Sequence, residues 1–83
     1  MTIYVDNPHD YNDKYIGWCH MATDNPDITE LHQFASKINL SRSWFQEHTK
    51  VPHYDLSSGK RKLAVQNGAI EVSSIELFKK CRR

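Results

Sequence analysis

Twice in the first third of the chain a short apolar run gives way to the same tripeptide. Thr2-Ile3-Tyr4-Val5 stops at Asp6-Asn7-Pro8, and Ile16-Gly17-Trp18-Cys19-His20-Met21-Ala22 is closed by Asp24-Asn25-Pro26. Proline lacks the N–H that a continuing ladder needs, and Asp and Asn side chains bond their own backbone in turns. Each run is shorter than the about 10–12 residues expected of a helix, and the first is β-branched and aromatic, so two short strands are predicted. Between them, residues 7–15 (NPHDYNDKY) are polar and turn-rich, a predicted loop whose tyrosine rings cover something.

Strands this short need helices packed on them, and the rest of the chain supplies the pattern. Ile28, Leu31, Phe34, Ala35 and Ile38 recur at helical spacing behind Asp27 and Glu30, which stand at capping-box separation. Asn39 is placed to end that helix in a left-handed conformation, and Ser41 to cap a short turn carrying Trp44 and Phe45. After the loop 47–52, His53-Tyr54-Asp55-Leu56 enters a helix capped by Ser57 or Ser58 and ended by Gly68. Ala69-Ile70-Glu71-Val72 is a predicted strand, and Ser73 with Glu76 a second capping box for a last helix. The expected architecture is a single α/β domain over residues 1–83: three to four strands, partly parallel, with three to four helices packed on the sheet.

Composition narrows the classes. At 83 residues the chain is long enough for one core only. It lacks an apolar run of about 18 residues, and its start has neither a basic nor an apolar leader region, so no membrane span or signal peptide is expected. The expected compartment is the cytoplasm, with Cys19 and Cys81 as free thiols. A domain of this size buries only about 60% of the surface its unfolded chain exposes, and a homodimer is one way to extend that burial. Net charge is +1, but residues 1–40 hold six acids and two bases, whereas residues 41–83 hold four acids and nine bases. Part of that asymmetry has an ordinary explanation, since Lys79, Lys80, Arg82 and Arg83 suit the end of the last helix.

The densest chemistry lies in His53-Tyr54-Asp55-Leu56-Ser57-Ser58-Gly59-Lys60-Arg61-Lys62. In an extended segment His53 and Asp55 point to one side, so they can share a metal or act as an oriented base. The helix start that follows offers N–H groups to an anion, backed by cations. A Ser-capped helix with a solvated basic face gives the same pattern. It is not a P-loop, because Tyr54 and Arg61 occupy positions that need Gly and Ser or Thr. His9, Asp10, His20, His48, His53 and Asp55 are all able ligands, yet their spacing matches no compact zinc motif. Adjacent Cys19 and His20 face opposite ways in a strand and cannot serve as a pair. Trp18, Trp44 and Phe45 offer either a stacking platform or a core.

Ile3-Tyr4-Val5-Asp6, Cys19-His20-Met21, Glu30-Leu31-His32, Trp44-Phe45-Gln46, His53 to Ser57, Lys60-Arg61, Ala64-Val65 and Gly68-Ala69 follow one another in an order that resembles a DUF4031-like family of small bacterial and phage proteins. The resemblance implies that Asp6, His20, Gln46, His53, Asp55 and Arg61 belong to the family's motif, and it brings no activity or cofactor. A second likeness is to compact PIN-like metal nucleases. Asp6 resembles the Asp that ends their first strand, and Asp55 the later Asp before a helix, glycine and strand. The chain is much shorter, and Lys60-Arg61-Lys62 stands where carboxylates are expected.

Three functions fit this pattern. The first is recognition of phosphate, in a nucleotide or a nucleic-acid backbone, by Ser57, Ser58, Lys60 and Arg61, with His53 and Asp55 orienting the ligand, Gln46 and Tyr54 supporting, and no cofactor required. The second is a phosphodiester hydrolase in which Asp6, His53 and Asp55 hold a divalent metal, His20 moves a proton and Arg61 stabilises developing charge. The third is a non-enzymatic phage or bacterial accessory protein that binds a host protein through its oppositely charged halves.

Overall fold

In the computed structural model, which describes residues 2–83, the two apolar runs are strands β1 (Ile3–Val5) and β2 (Cys19–Thr23). They pair antiparallel, Tyr4 opposite Ala22. On the other edge of β2 lies β4 (His53–Leu56), antiparallel, followed by β3 (Phe45–Gln46); β5 (Ile70–Glu71) joins β1 in parallel. The order is β3-β4-β2-β1-β5. The sheet is therefore mixed, as expected, but has five strands, because two residues after the Ser41-capped turn pair with β4. A two-residue strand carries no alternation that a sequence can display. β2 begins three residues later than its apolar run, since Gly17 turns the chain at φ +73° and Trp18 forms an isolated bridge with His9.

Alternation divides the sheet into two unlike faces. Ile3, Val5, Cys19, Met21, Phe45, Tyr54 and Leu56 point to one face, where α1 (Thr29–Lys37) and α2 (Ser58–Gln66) bury Leu31, Phe34, Ala35 and Ala64 against them. This is the main core. On the opposite face α3 (Ser74–Cys81) packs Leu77 and Cys81 on Ala22, beside Tyr4, Val51 and Val72. An eight-residue helix spans about 12 Å, too little to cover five strands. The polar residues that alternate with the core set therefore stay accessible beside it.

Helix ends follow the sequence with one exception. Ser57 caps α2 by accepting from Lys60 N, and Ser73 with Glu76 closes a reciprocal box at α3. Asn39 (φ 63°) and Gly68 (φ 105°) take the left-handed positions after α1 and α2. The box expected from Asp27 and Glu30 does not form: α1 starts at Thr29 behind Ile28, and the Asp27 carboxylate instead accepts from Thr29 N at 3.0 Å. A short Asx-type turn two residues on satisfies that carboxylate before it can reach the third residue. Both cysteines are free and buried, and burial pushes the thiols up, Cys19 to about 12 and Cys81 to about 11. No helix among the described residues is long and apolar enough to cross a membrane.

Candidate metal centre

The exposed part of the α3 face collects His20, His53 and Asp55 because neighbouring strands hold them in register. His20 on β2 lies directly opposite Asp55 on β4, and His53 lies opposite Gln46 on β3. One ligand atom from each of His20, His53 and Asp55 can be chosen so that all three lie within 4.8 Å of one another. His53 Nε2 is 3.3 Å from Asp55 Oδ1, and His20 Nε2 is 3.9 Å from the same oxygen. A tetrahedral ion with bonds of about 2.05 Å holds its ligand atoms about 3.3 Å apart, so only a small inward swing of these side chains closes the set.

Both imidazoles are oriented from behind. Asp6 is 1% exposed, and its Oδ1 accepts from His20 N at 2.7 Å while Oδ2 accepts from His20 Nδ1 at 2.9 Å and from Ser74 Oγ at 3.0 Å. Burial opposes ionisation of Asp6, but the hydrogen bonds from His20 and Ser74 outweigh it and keep its pKa below the ordinary 3.8. An ionised carboxylate only accepts, so Nδ1 of His20 donates to Asp6, and Nε2 is the ring nitrogen left to face Asp55 and to bind an ion when the ring is neutral. Ser74 donates to Asp6 and therefore accepts from His9 Nε2, 2.8 Å away. His53 is fixed in the same sense, since its Nδ1 donates to the Val51 carbonyl at 2.6 Å. Two Nε2 atoms and one carboxylate thus converge, each imidazole with its tautomer set by a second partner.

The electrostatics of the cluster favour a positive charge at its centre. Burial lowers the affinity of His53 for a proton, yet the Asp55 carboxylate and the Val51 carbonyl raise its pKa above 6.5 overall. The hydrogen bond from His53 in turn outweighs partial burial of Asp55 and holds that carboxyl below 3.8. Tyr11 borders the site, its hydroxyl 3.4 Å from His20 Nε2; burial, with the charges of Asp6 and Asp55, raises its pKa and keeps it a phenol.

The residues singled out in the sequence take distinct places. Asp6, expected as a ligand, stands behind His20, and His20 takes the inner position beside His53 and Asp55. Gln46 and Asp55 line a cleft of about 720 Å³ next to the cluster, with Ser57, Lys60 and His20. Ser57 accepts from Lys60 N as a cap, and Lys60 Nζ donates to the Ile38 carbonyl at 2.8 Å. Arg61 does not line that cleft: its Nε donates to the Asp6 carbonyl at 3.0 Å and a terminal nitrogen to Glu71 Oε1 at 2.9 Å, tying α2 to β1 and β5. Ser58 opens α2 and does not line the cleft either. Tyr54, expected to support the site, points into the core, where its hydroxyl is 2.8 Å from His32 Nδ1; alternation places it opposite to its neighbours His53 and Asp55.

Three contributors had no individual signal in the sequence. Ser74 reaches Asp6 across 68 positions, the Val51 carbonyl is backbone, and Tyr11 comes from the 7–15 loop, recognised only as a ring-bearing cover. That loop is built to hold its rings in place: Asn12 Oδ1 accepts from Lys14 N and Tyr15 N, and Asp10 Oδ1 accepts from Gly17 N.

No curated protein and no solved structure matches the chain, so the likeness to PIN-like nucleases gains no support from them. A family model described as "Protein of unknown function (DUF4031)" matches residues 3–83, the stretch that carries every residue of the cluster, and the chain belongs to that family.

Proposed function

We propose that the chain is a divalent-metal hydrolase of phosphate esters, with His20, His53 and Asp55 as metal ligands and Asp6 as the group that orients His20. The observation that carries this reading is the convergence of one ligand atom each from His20, His53 and Asp55 within 4.8 Å, with His20 and Asp55 lining an open cleft. Three protein ligands leave a coordination position vacant for water or substrate, the pattern of catalytic zinc sites, whereas structural sites are closed by four. A bound cation would polarise the ester and lower the pKa of a coordinated water.

In the reaction, water adds to phosphorus, one ester P–O bond breaks, and the water's proton ends on the departing alcohol oxygen. Tyr11 is placed to exchange a hydrogen bond with groups at the metal position, and Lys60, on the cleft wall, supports phosphate as the group presented there. A second reading, phosphate recognition without catalysis, draws on the same Lys60 and Ser57.

Zinc and manganese titration by calorimetry, paired with turnover of bis-p-nitrophenyl phosphate, separates the two. One equivalent of metal and metal-dependent turnover are expected, both lost in Asp55→Asn and His53→Ala. Metal uptake without turnover of any phosphate ester would leave recognition as the better account. No uptake in the wild-type protein sinks the metal reading.

A further inference from the structure

The cleft beside the cluster has walls that a simple phosphate does not need. Tyr11 and Tyr15 come to it from the loop, Trp18 from the isolated bridge just ahead of β2, and Trp44 from the Ser41-capped turn. Tyr15 packs edge-on against Trp18 with ring centroids 5.1 Å apart at 90°, and Tyr11 edge-on against His20 at 6.0 Å and 84°, so these rings are mutually braced. Trp44 is nevertheless 54% exposed and Tyr11 51% exposed. In a core this small, large rings are expected inside; four of them around an accessible cleft mark a surface that something flat covers. The polar groups at the same cleft are few and specific. The Gln46 amide can donate and accept, Ser43 and Ser57 carry hydroxyls, and Lys60, with one of its three protons given to the Ile38 carbonyl, supplies a cation to the cleft that His20 and Asp55 also line.

From this we infer that the substrate of the proposed metal site is a nucleotide unit, its base stacked on the aromatic walls and its phosphate directed to Lys60 and the metal. The inference rests on the metal reading and adds the identity of the substrate. A planar π-face, a hydrogen-bonding edge and an anionic end are the three features a base, its exocyclic groups and its phosphate present together. The unit comes either as a free nucleotide or as the end of a single strand. Among the described residues Lys60 is the only Lys or Arg lining the cleft, which suits a single phosphate better than a run of them.

The chain offers its own probe, because both of its tryptophans, Trp18 and Trp44, line this cleft. Titration of zinc-loaded protein with thymidine monophosphate should quench their fluorescence, with an affinity about tenfold tighter than for deoxyribose 5-phosphate, the range of one base stacking on an aromatic ring. Trp44→Ala should remove that preference and leave zinc affinity unchanged, and Trp44→Phe should restore most of it; the side chain is exposed enough for both variants to fold. A thymidine tetramer binding as tightly as the monomer assigns a free nucleotide, and a much tighter tetramer assigns a strand end; either outcome keeps the stacking. Equal affinity for the monophosphate and deoxyribose 5-phosphate, with zinc still bound, overturns the inference alone. Absence of zinc binding, with the Trp44-dependent preference for the monophosphate intact, overturns the metal reading and leaves the base-binding cleft standing.

Discussion

Replacing Asp6 by Asn tests the logic of the site without changing its shape. In the wild-type protein the two carboxylate oxygens accept three hydrogen bonds, from His20 N, His20 Nδ1 and Ser74 Oγ. An amide has a single acceptor oxygen. With that oxygen on His20 N, the NH₂ group faces Nδ1, and the imidazole keeps a partner only by moving its proton to Nε2, which abolishes the lone pair aimed at the metal position. With the amide flipped, NH₂ meets the His20 N–H at a site where the native contact is 2.7 Å, donor against donor. Either arrangement damages the same function. Loss of such an outer partner typically weakens metal binding by about 10- to 100-fold, equivalent to about 1.4–2.7 kcal/mol. Loss of a hydrogen bond to a buried charged group lowers stability by about 1.5–3 kcal/mol, hence Tm by on the order of 10 °C in a domain of this size. Zinc calorimetry on Asp6→Asn gives the first number, thermal unfolding in EDTA the second, and long-range proton–nitrogen NMR of the imidazoles reports the tautomer. Zinc affinity within about threefold of wild type, or a wild-type His20 that already carries its proton on Nε2, would refute the argument.

Further outcomes follow from the same contacts. The His53 pKa lies above 6.5 in the folded chain, so its ion pair with Asp55 stabilises fully below pH 6.5 and is lost as pH rises through the folded value. Asp6 and Asp55 lie below 3.8, so their contributions are present above pH 3.8 and lost as pH falls through the folded values. In EDTA, Tm should therefore fall on both the acid and the alkaline side, and His53→Asn should flatten the alkaline limb. Zinc, which needs His53 deprotonated, should stabilise increasingly as pH rises through that limb, a dependence readable from paired melts. Arg61→Lys retains one of two contacts and should lower stability by about 1–2 kcal/mol, while the affinity for thymidine monophosphate, measured well below Tm, stays within about twofold; a large loss of affinity would return Arg61 to the binding surface. Neither Cys19 nor Cys81 should react with iodoacetamide in the native state, and mass spectrometry should find both alkylated only after unfolding.

Turn chemistry and helix caps were legible in the sequence wherever the signal was local. Asn39, Gly68, Ser57 and the Ser73–Glu76 box all occupy the positions that their residue types predict. Asp27 departs because its carboxylate is satisfied one residue early, a competition between two local bonds that spacing cannot rank. For the site, alternation along His53-Tyr54-Asp55 already placed two ligands on one side, and the same rule dictates that Tyr54 faces the core. What the sequence withheld was pairing: nothing local reveals that β2 lies against β4, and without it His20 cannot be set opposite Asp55, nor Asp6 behind His20. Arg61 and Lys60 looked alike as cations, but only the contacts separate them: Arg61 is held away from the cleft by Asp6 and Glu71, whereas Lys60 makes one bond, to the Ile38 carbonyl, and stays on the cleft wall.

The pairing of β2 with β4 also gives the cluster a property that a loop-borne site would lack. Side chains alternate across a strand, so sliding β2 by one residue would turn His20 inward among the aliphatic groups and present Cys19 in its place. The cluster is thus a gauge of strand alignment: it exists in one register and vanishes in the next. An ion captured there would stabilise only the chains whose sheet had closed correctly, drawing slipped pairings toward the native one by mass action.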